Sequence, residues 1–534
     1  MEITLLQITL ISLFYILCET ALPFGSMGTW ATISRPLVSG LVVGLILGNP
    51  VKGTVVGATI NIMFLGVISA GGSLPSDSTA AGVLGSAFAI IGGFDVNTAM
   101  ALSVPLGMFG SILWVLTMTG QCFFVAIYDK MIEKEKYKSL IWLNTWIPYI
   151  VKSAIRFTVC FTILLAGSAL IEDLANALSG PVLDGLSIMG GMIPAVGIAM
   201  MLLSIFKGKA KWFFFLGFLA TTFLNLNTIA IALIFAFIAI LVVGFDSSDF
   251  TPFTEIESTN ESAYRLISKK DLVKSWVLWQ YFNESCYNYE RMQGLGFGCA
   301  MNVVLQKIYK DDPETLQQEL KTHSMFFNTD HDFGGLILGV CTAMEEQKKL
   351  GADIKREDFV AIKSGLMGPC AGIGDTLSQV VLIPILAIIF INLALQGALW
   401  APIAYTVLFL LIFYGVGYWM LFVGYKSGGE AVLKLMESGI FDKVIEVAQI
   451  IGCAVSGSMI CNFVSMNFTV SIVQNEVEVF NLQTGVLDAI LPNMAPLALT
   501  LFIFYLCKKG VKTSYITFGL MIAGFVLGIL GIIG

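Results

Sequence analysis

Apolar residues run along most of this chain in long blocks, and polar residues interrupt them at only a few places. Apolar runs lie near 3–19, 101–127, 151–171, 185–206, 212–244, 376–396, 401–424, 495–507 and 514–533. A helix needs about 20 apolar residues to cross a hydrocarbon core. Lipid offers no partners to backbone N–H and C=O groups, so these runs are expected to be helices. A closed barrel would show shorter, alternating segments instead. The pattern breaks decisively once, at FDSSDFTPFTEIESTNESA (245–263), which is acidic, rich in Ser and Thr and contains a Pro. That is linker composition. Residues 267–365 are then mostly polar or amphipathic, and membrane spans resume near 376. The expected fold is an all-α polytopic integral membrane protein. It has two modules, 1–244 and 267–534, joined by a linker at 245–266. Broken or re-entrant helices are expected in both, and a largely cytoplasmic or interfacial helical region in the second.

In that region, Leu272, Trp276, Trp279, Phe282, Cys286 and Tyr289 recur at helical spacing. Asp271 suits a first helical turn. Trp276, Trp279, Tyr281 and Phe282 suit a helix lying along the membrane interface. Pro313 stands near the start of a short soluble helix, and two further helices flank a turn at Gly351.

Two stretches share a type: SAGGSLPSDSTAAG (69–82) and GLMGPCAGIGDTLSQ (365–379). Each is rich in Gly with a Pro, and each carries an acid before a hydroxyl residue, Asp77-Ser78 and Asp375-Thr376. Gly and Pro unwind a helix, and Asp caps the next one. In a membrane protein this predicts discontinuous helices, whose free backbone groups line substrate sites. A sugar needs such surroundings, because its hydroxyls must be matched once water is stripped away. The blander reading is an Asp cap in a surface loop. Arg35, Asn61, Asn225 and Asn227 also interrupt apolar runs. Their blander readings are an interfacial anchor for Arg35 and interhelical hydrogen bonding for Asn225 and Asn227.

Composition sharpens the class. The 534 residues are 56% hydrophobic and 13% charged, against about 25% charged in a soluble domain. The net charge of −7 says little. Basic clusters at 130–138, 207–211 and 508–512 say more. Two spans separate the first two clusters, which places both on the cytoplasmic side by the positive-inside rule. The N-terminal stretch lacks a basic n-region and carries Glu2, so it is read as a retained span. The ten cysteines are scattered without a CxxC pair, as packing thiols are. With only two histidines, His323 and His331, no zinc or Cys–His nucleophile constellation is present. No GxxxxGK[ST] loop occurs, which argues against ATP-driven transport by this chain alone. No metal, cofactor or nucleic-acid partner is expected.

Longer motifs resemble a known family. The first module carries MEITLLQITL, RPLVSGLVVGLILGNPVKGTVVGATINIMFLGV, the PSD turn and DGLSIMGGMIPAVGIAMM. The second carries NYERMQGLGF (288–297), HSMFFNTD (323–330), the LGV and AMEEQ pair (338–340 and 343–347) and GLMGPCAGIGD (365–375). Together they resemble the IIC and IID membrane components of the mannose/fructose/sorbose family of bacterial sugar phosphotransferase systems. The resemblance spans essentially the whole chain, and the two components, usually separate, are here fused. It implies a multi-pass permease of the bacterial cytoplasmic membrane that imports a sugar while soluble partners phosphorylate it. The phosphoryl group comes from phosphoenolpyruvate through enzyme I, HPr, IIA and IIB, and its carriers on IIA and IIB are histidines. This chain has no such domain, so it is no enzyme on its own, and His323 belongs to the HxxFFNT motif. The resemblance also implies a homotrimer in membrane lipid.

Several polar positions depart from the family. Thr32 stands where a Gln is common, Asn61 where TLE has its Glu, Ser69 where MNIGA has its Asn, and Ile383 where an Arg is common. Losing an acid and a base together predicts a substrate other than mannose. The sugar site is expected between the modules, built from both Asp turns and the NYERMQ segment. Asp77, Asn61, Thr32, Ser69, Asn288, Glu290 and Gln293 are the expected sugar ligands. Arg35, Arg291, Asn328 and Asp375 are expected to support them, Arg291 by pairing with an acid and Asp375 as a cap. Two other functions fit a polytopic chain: an ion-coupled secondary transporter using Asp77 or Asp375, and a membrane receptor or scaffold without transport.

Overall fold

Side-chain caps set where several helices begin. The computed structural model describes residues 3–69, 74, 76–177, 181–246, 266–474 and 477–534. The first module comprises α1 (Leu5–Cys18), α2 (Ser26–Ala31), α3 (Pro36–Ile46), α4 (Pro50–Met63), α5 (Ser78–Ile91) and α6 (Val96–Gln121). It continues with α7 (Phe123–Glu133), α8 (Tyr137–Ala177), α9 (Pro181–Met192), α10 (Pro194–Ile205), α11 (Ala210–Leu224) and α12 (Thr228–Val243). Thr4 and Gln7 form a reciprocal capping box on α1, and Asn49, Asp77 and Asp95 cap α4, α5 and α6.

The second module opens with α13 (Lys269–Phe282), capped by Ser268 and Asp271. Four helices follow: α14 (Gly294–Ile308), α15 (Pro313–His323), α16 (His331–Lys349) and α17 (Arg356–Asp375). Beyond them lie α18 (Ile383–Leu395), α19 (Ala401–Glu437) and α20 (Ile440–Phe463). A small antiparallel hairpin, β1 (Ser471–Gln474) and β2 (Val477–Asn481), precedes α21 (Met494–Lys508) and α22 (Thr513–Ile529). Among the described residues six stretches are long and apolar enough to cross a membrane: Val96–Glu133, Tyr137–Gly167, Asp184–Ile205, Arg356–Leu395, Ala401–Ser427 and Ile440–Phe463. A pair bent by 67°, Gln483–Ile490 and Met494–Lys508, makes a seventh candidate.

Four expectations need correction. The second glycine-rich tract is not a broken helix: 356–395 is one helical rod with a π-helical turn at Thr376–Leu382. The Thr376 and Ser378 hydroxyls donate to the Gly372 and Gly374 carbonyls at 2.6 and 2.8 Å, so the helix keeps its polar groups satisfied without unwinding. The tryptophans of α13 pack into the protein rather than standing free for headgroups. Trp279 is fully buried and donates to the His331 carbonyl at 2.7 Å, and Trp276 is buried beside it. The run 212–244 is two helices, broken at Asn225 in the left-handed conformation, with Asn227 capping α12 rather than bridging helices. The span α20 was absent from the apolar runs, because Asp442, Lys443 and Glu446 lower the hydropathy of its first two turns. The first tract keeps its capping Asp77, but residues 70–73 and 75 lie outside the described residues, as do 247–265 of the linker.

The two modules interleave. In α11, a Cβ at Gly217 would stand 2.0 Å from the Ala454 carbonyl oxygen of α20. In α20, a Cβ at Gly457 would stand 2.1 Å from the Phe214 carbonyl oxygen. Only glycine lets these two backbones touch, as small residues do between helices in lipid. One apolar core therefore spans both modules, with Phe214, Phe218, Phe409 and Ile450 among its buried members. A second core packs α13–α17 against α7 and the start of α8, through Tyr128, Leu140, Trp279, Phe297 and Phe327. The helical region 267–365 is thus anchored on the first module.

Candidate functional site

A cleft opens where the modules meet. From the first module it is lined by Glu19, Trp30, Ser69, Asp77, Thr79 and Trp114. From the second it is lined by Glu284, Tyr287, Gln293, Asn328, Asp375 and Gln379, with Thr329 and His331.

Asp77 reaches this wall because it caps α5. Its Oδ1 accepts from Thr79 N and Ala80 N at 2.8 and 3.2 Å. Its Oδ2 is buried without a hydrogen-bond partner, and Arg156 Nη1 stands 3.6 Å away. Arg156, 1% exposed, also pairs with Glu19 at 2.9 Å, so one buried cation holds two cleft carboxylates. Trp30 is braced from behind by the Arg35 guanidinium, 4.2 Å from its ring centre.

The facing wall is a hydrogen-bonded set. Asp375 Oδ1 accepts from Gln379 Nε2 at 2.9 Å, and Gln379 Oε1 accepts from Ser69 N at 2.9 Å. Ser69 lies in the first module, so this bond ties the modules across the cleft. Gln293 accepts from Thr329 N at 2.9 Å and donates to Glu284 at 3.4 Å. Tyr287 donates its hydroxyl to Asn328 Oδ1 at 2.8 Å. His331 Nε2 stands 3.5 Å from Glu284 Oε1. Burial pulls the His331 imidazolium down, but the Glu284 carboxylate outweighs it, with Asp330 and Asp332 adding, and pushes it up to about 9. Burial in turn raises the Glu284 carboxyl, and His331 outweighs that, leaving it below its ordinary range.

Of the residues expected at the site, Asp77, Ser69, Gln293, Asn328 and Asp375 line the cleft. The others do not. Thr32 is buried, and its hydroxyl donates to the Gly28 carbonyl at 2.5 Å. Asn61 is buried between α3 and α4, accepting from Leu37 N at 3.4 Å. Asn288 serves its own turn: it accepts from the Glu290 and Arg291 amides and donates to the Cys286 carbonyl. That turn places Met292 at φ 51°, so its backbone needs such a brace. Glu290 is exposed and faces a different groove. Arg291 grips Asp129 of the first module with both terminal nitrogens, at 2.8 and 2.6 Å. Glu19, Arg156, Glu284 and His331 were missed. Arg156 was readable, as a cation inside an apolar run is a functional signal in a membrane protein. The Glu284–His331 pair exists only through the tertiary fold.

His323 is fully buried, with Nε2 2.7 Å from Glu345. Burial, reinforced by Lys363, pushes its imidazole down to about 3. It is a neutral packing histidine, out of reach of a phosphoryl donor.

The aromatic rings and matched polar groups of the cleft suit a polyhydroxylated ligand, and comparison with known proteins names the system. Residues 266–533 match the PTS system mannose/fructose/sorbose family IID component, and residues 5–241 match the PTS system sorbose-specific IIC component. The chain belongs to the mannose/fructose/sorbose family of phosphotransferase systems. The chain is 32% identical over 290 residues to the mannose-specific EIID component of Escherichia coli (strain K12), covering 52% of this chain and 100% of that relative. It is 33% identical over 271 residues to the sorbose-specific EIID component of Lacticaseibacillus casei, covering 49% and 95%. It is 28% identical over 243 residues to the mannose-specific EIIC component of the same E. coli strain, covering 46% and 90%. A chain of the cryo-EM structure of the mannose transporter ManYZ with microcin E492 matches 51% of this chain and all of its own length, at 30% identity and a TM-score of 0.30. The chain is thus a fused IIC–IID permease, a multi-pass protein of the bacterial inner membrane. It imports a sugar for phosphorylation by soluble IIA and IIB, and it is the transport part of that complex rather than its phosphoryl-transfer enzyme.

Proposed function

We propose that the sugar binds in the intermodular cleft, between the IIC unit at 1–244 and the IID unit at 267–534. The observation that carries this reading is the wall of acceptors and donors drawn from both units: Asp77 and Ser69 opposite Asp375, Gln379, Gln293 and Asn328. Sugar hydroxyls both donate and accept, so a dry cleft must offer both. Asp77, Glu284 and Asp375 accept. Gln293, Gln379 and Asn328 do both. Trp30 and Trp114 offer flat faces to the apolar side of a sugar ring. Ser69, where the family commonly carries an Asn, is the one departure that reaches the cleft and supports a substrate other than mannose. Thr32 and Asn61 act through packing instead. The Ser69–Gln379 hydrogen bond is the closure that must open when one unit moves against the other to present the sugar to IIB. The family resemblance supports a trimeric assembly, supplied with phosphoryl groups through enzyme I, HPr, IIA and IIB.

The Asp375→Asn variant tests this. It keeps the size and can still accept from Gln379, yet loses a charged acceptor worth about 1.5–3 kcal/mol in a hydrogen bond. Equilibrium binding of the transported sugar to membranes is expected to weaken by at least about tenfold. An unchanged dissociation constant would place the sugar elsewhere.

A further inference from the structure

Two side-chain atoms in the lining of the intermodular cleft are buried without a hydrogen-bond partner, and they come from opposite units. One is Asp77 Oδ2 of the IIC unit, an acceptor. The other is His331 Nε2 of the IID unit. No other lining residue has such an atom among the described residues. A buried polar atom left unpaired is destabilising, so each calls for a reason in the protein's work.

The fold holds His331 in place. It is the first residue of α16, it is buried, and its carbonyl accepts from Trp279 of α13 at 2.7 Å. Four carboxylates face it: Glu284, Asp330 and Asp332 of its own element, and Asp375 of α17. Two of them are engaged elsewhere. Asp330 accepts from the Asp332 and Phe333 amides and from Ser378 Oγ, and Asp332 accepts from Gln280 Nε2. Asp375 is held by Gln379. Glu284 stands nearest, 3.5 Å from Nε2, yet makes no hydrogen bond with it. The charge of Lys152 on α8 acts on Glu284 as well. Burial pulls the imidazolium down, and Glu284 outweighs it, so the ring keeps its second proton up to about pH 9. At neutral pH Nε2 therefore carries a hydrogen and can only donate.

We propose that His331 is a sugar-binding residue that determines specificity. Its Nε2–H donates to an oxygen of the sugar, while Asp77 Oδ2 accepts from a hydroxyl on the facing side. The proposal rests on the reading of the cleft as the sugar site. It supplies a cationic donor in a lining whose other charged groups are carboxylates, since Arg156 stands behind Asp77 and does not line the cleft. A charged donor favours an oxygen with free lone pairs. A deoxy carbon at that place leaves it unpaired, and an ammonium group is repelled.

The test uses membranes holding the full chain. The probe is the labelled sugar that wild-type membranes with cognate IIA and IIB convert to its phosphate, and binding is measured without IIB. At pH 7, His331→Leu is expected to bind it about tenfold more weakly. The ratio of wild-type to variant affinity should fall toward one as pH rises through about 9, because the donor is then lost from the wild type. One monodeoxy analogue should bind the wild type about tenfold more weakly than the parent sugar, and bind His331→Leu within about twofold of it. A ratio independent of pH, or equal discrimination by both proteins, overturns the proposal. The chain has two histidines, so nitrogen-15 labelling of histidine reads the wild type directly, whatever the variant's fold. Sugar should shift the His331 Nε2 signal and leave that of the buried His323 in place. An unmoved His331 signal at saturating sugar also overturns the proposal. Unchanged affinity in both Asp77→Asn and Asp375→Asn would instead overturn the cleft reading, and absence of any sugar phosphate the permease reading.

Discussion

Replacing Arg156 by Met is expected to lower the thermal stability of the detergent-solubilised protein sharply and to abolish sugar binding. The side chain is 1% exposed and pairs with the half-buried Glu19 at 2.9 Å and the buried Asp77 at 3.6 Å. Without it, the two carboxylates keep only the charge of Lys152, which pairs directly with neither. Removing one partner of a buried pair costs about 3–5 kcal/mol, a large part of the roughly 5–15 kcal/mol by which proteins are stable. Neutralising all three groups, as Arg156→Met with Glu19→Gln and Asp77→Asn, should restore much of the stability, because no buried charge is then unpaired. It should not restore binding, since the charged acceptors are gone. Thermal unfolding followed by intrinsic fluorescence checks the first expectation, and labelled-sugar binding checks the second. A single variant as stable as the parent would mean that Arg156 is not the counter-charge.

The second large effect is expected from Asp77→Asn. Asn is also a good N-cap, so Oδ1 can still accept from Thr79 and Ala80 and α5 should start as before. Oδ2 becomes an amide that cannot accept. That oxygen is the buried acceptor without a hydrogen-bond partner in the cleft wall. A sugar hydroxyl that met a charged acceptor then meets a neutral amide, which forfeits a hydrogen bond worth about 1.5–3 kcal/mol. Sugar affinity is expected to fall by about 30-fold or more, and uptake with it. Phosphorylation of IIB by IIA and HPr should be unaffected, because that exchange occurs between soluble proteins. Retained uptake would remove Asp77 from the sugar site. Asp77→Ala should lose about 1 kcal/mol of further stability through the cap.

The chain's class and its two-part organisation were legible because apolar runs and one acidic linker dominate the pattern. Asp77 was legible for the same kind of reason: an Asp before Ser-Thr at the head of an apolar run is a cap wherever it occurs. What misled was punctuation. Gly368, Pro369, Gly372 and Gly374 look like a helix break, yet hydroxyl groups and a π turn carry the helix through. Asn288 and Asn61 looked like ligands because they are polar among apolar neighbours. Their partners are backbone amides one turn or one helix away, a demand of the fold that hydropathy does not display. Arg156 and Lys152 were present in the run 151–171 and signal a buried ion pair by type alone, but their carboxylate partners come from α1 and α5. Glu284 and His331 meet only after α13 and α16 pack, with Trp279 donating to the His331 carbonyl and holding that corner.

The most direct test of the whole account is phosphoenolpyruvate-dependent conversion of labelled sugars by membranes holding this chain with cognate IIA and IIB. The panel would include mannose, fructose, sorbose, amino sugars, sugar acids and glycated amino acids. The account predicts that one sugar, other than mannose, accumulates as its phosphate, and only when phosphoenolpyruvate and IIB are both present. Uptake of unmodified sugar driven by a proton or sodium gradient, without phosphoenolpyruvate, would contradict it.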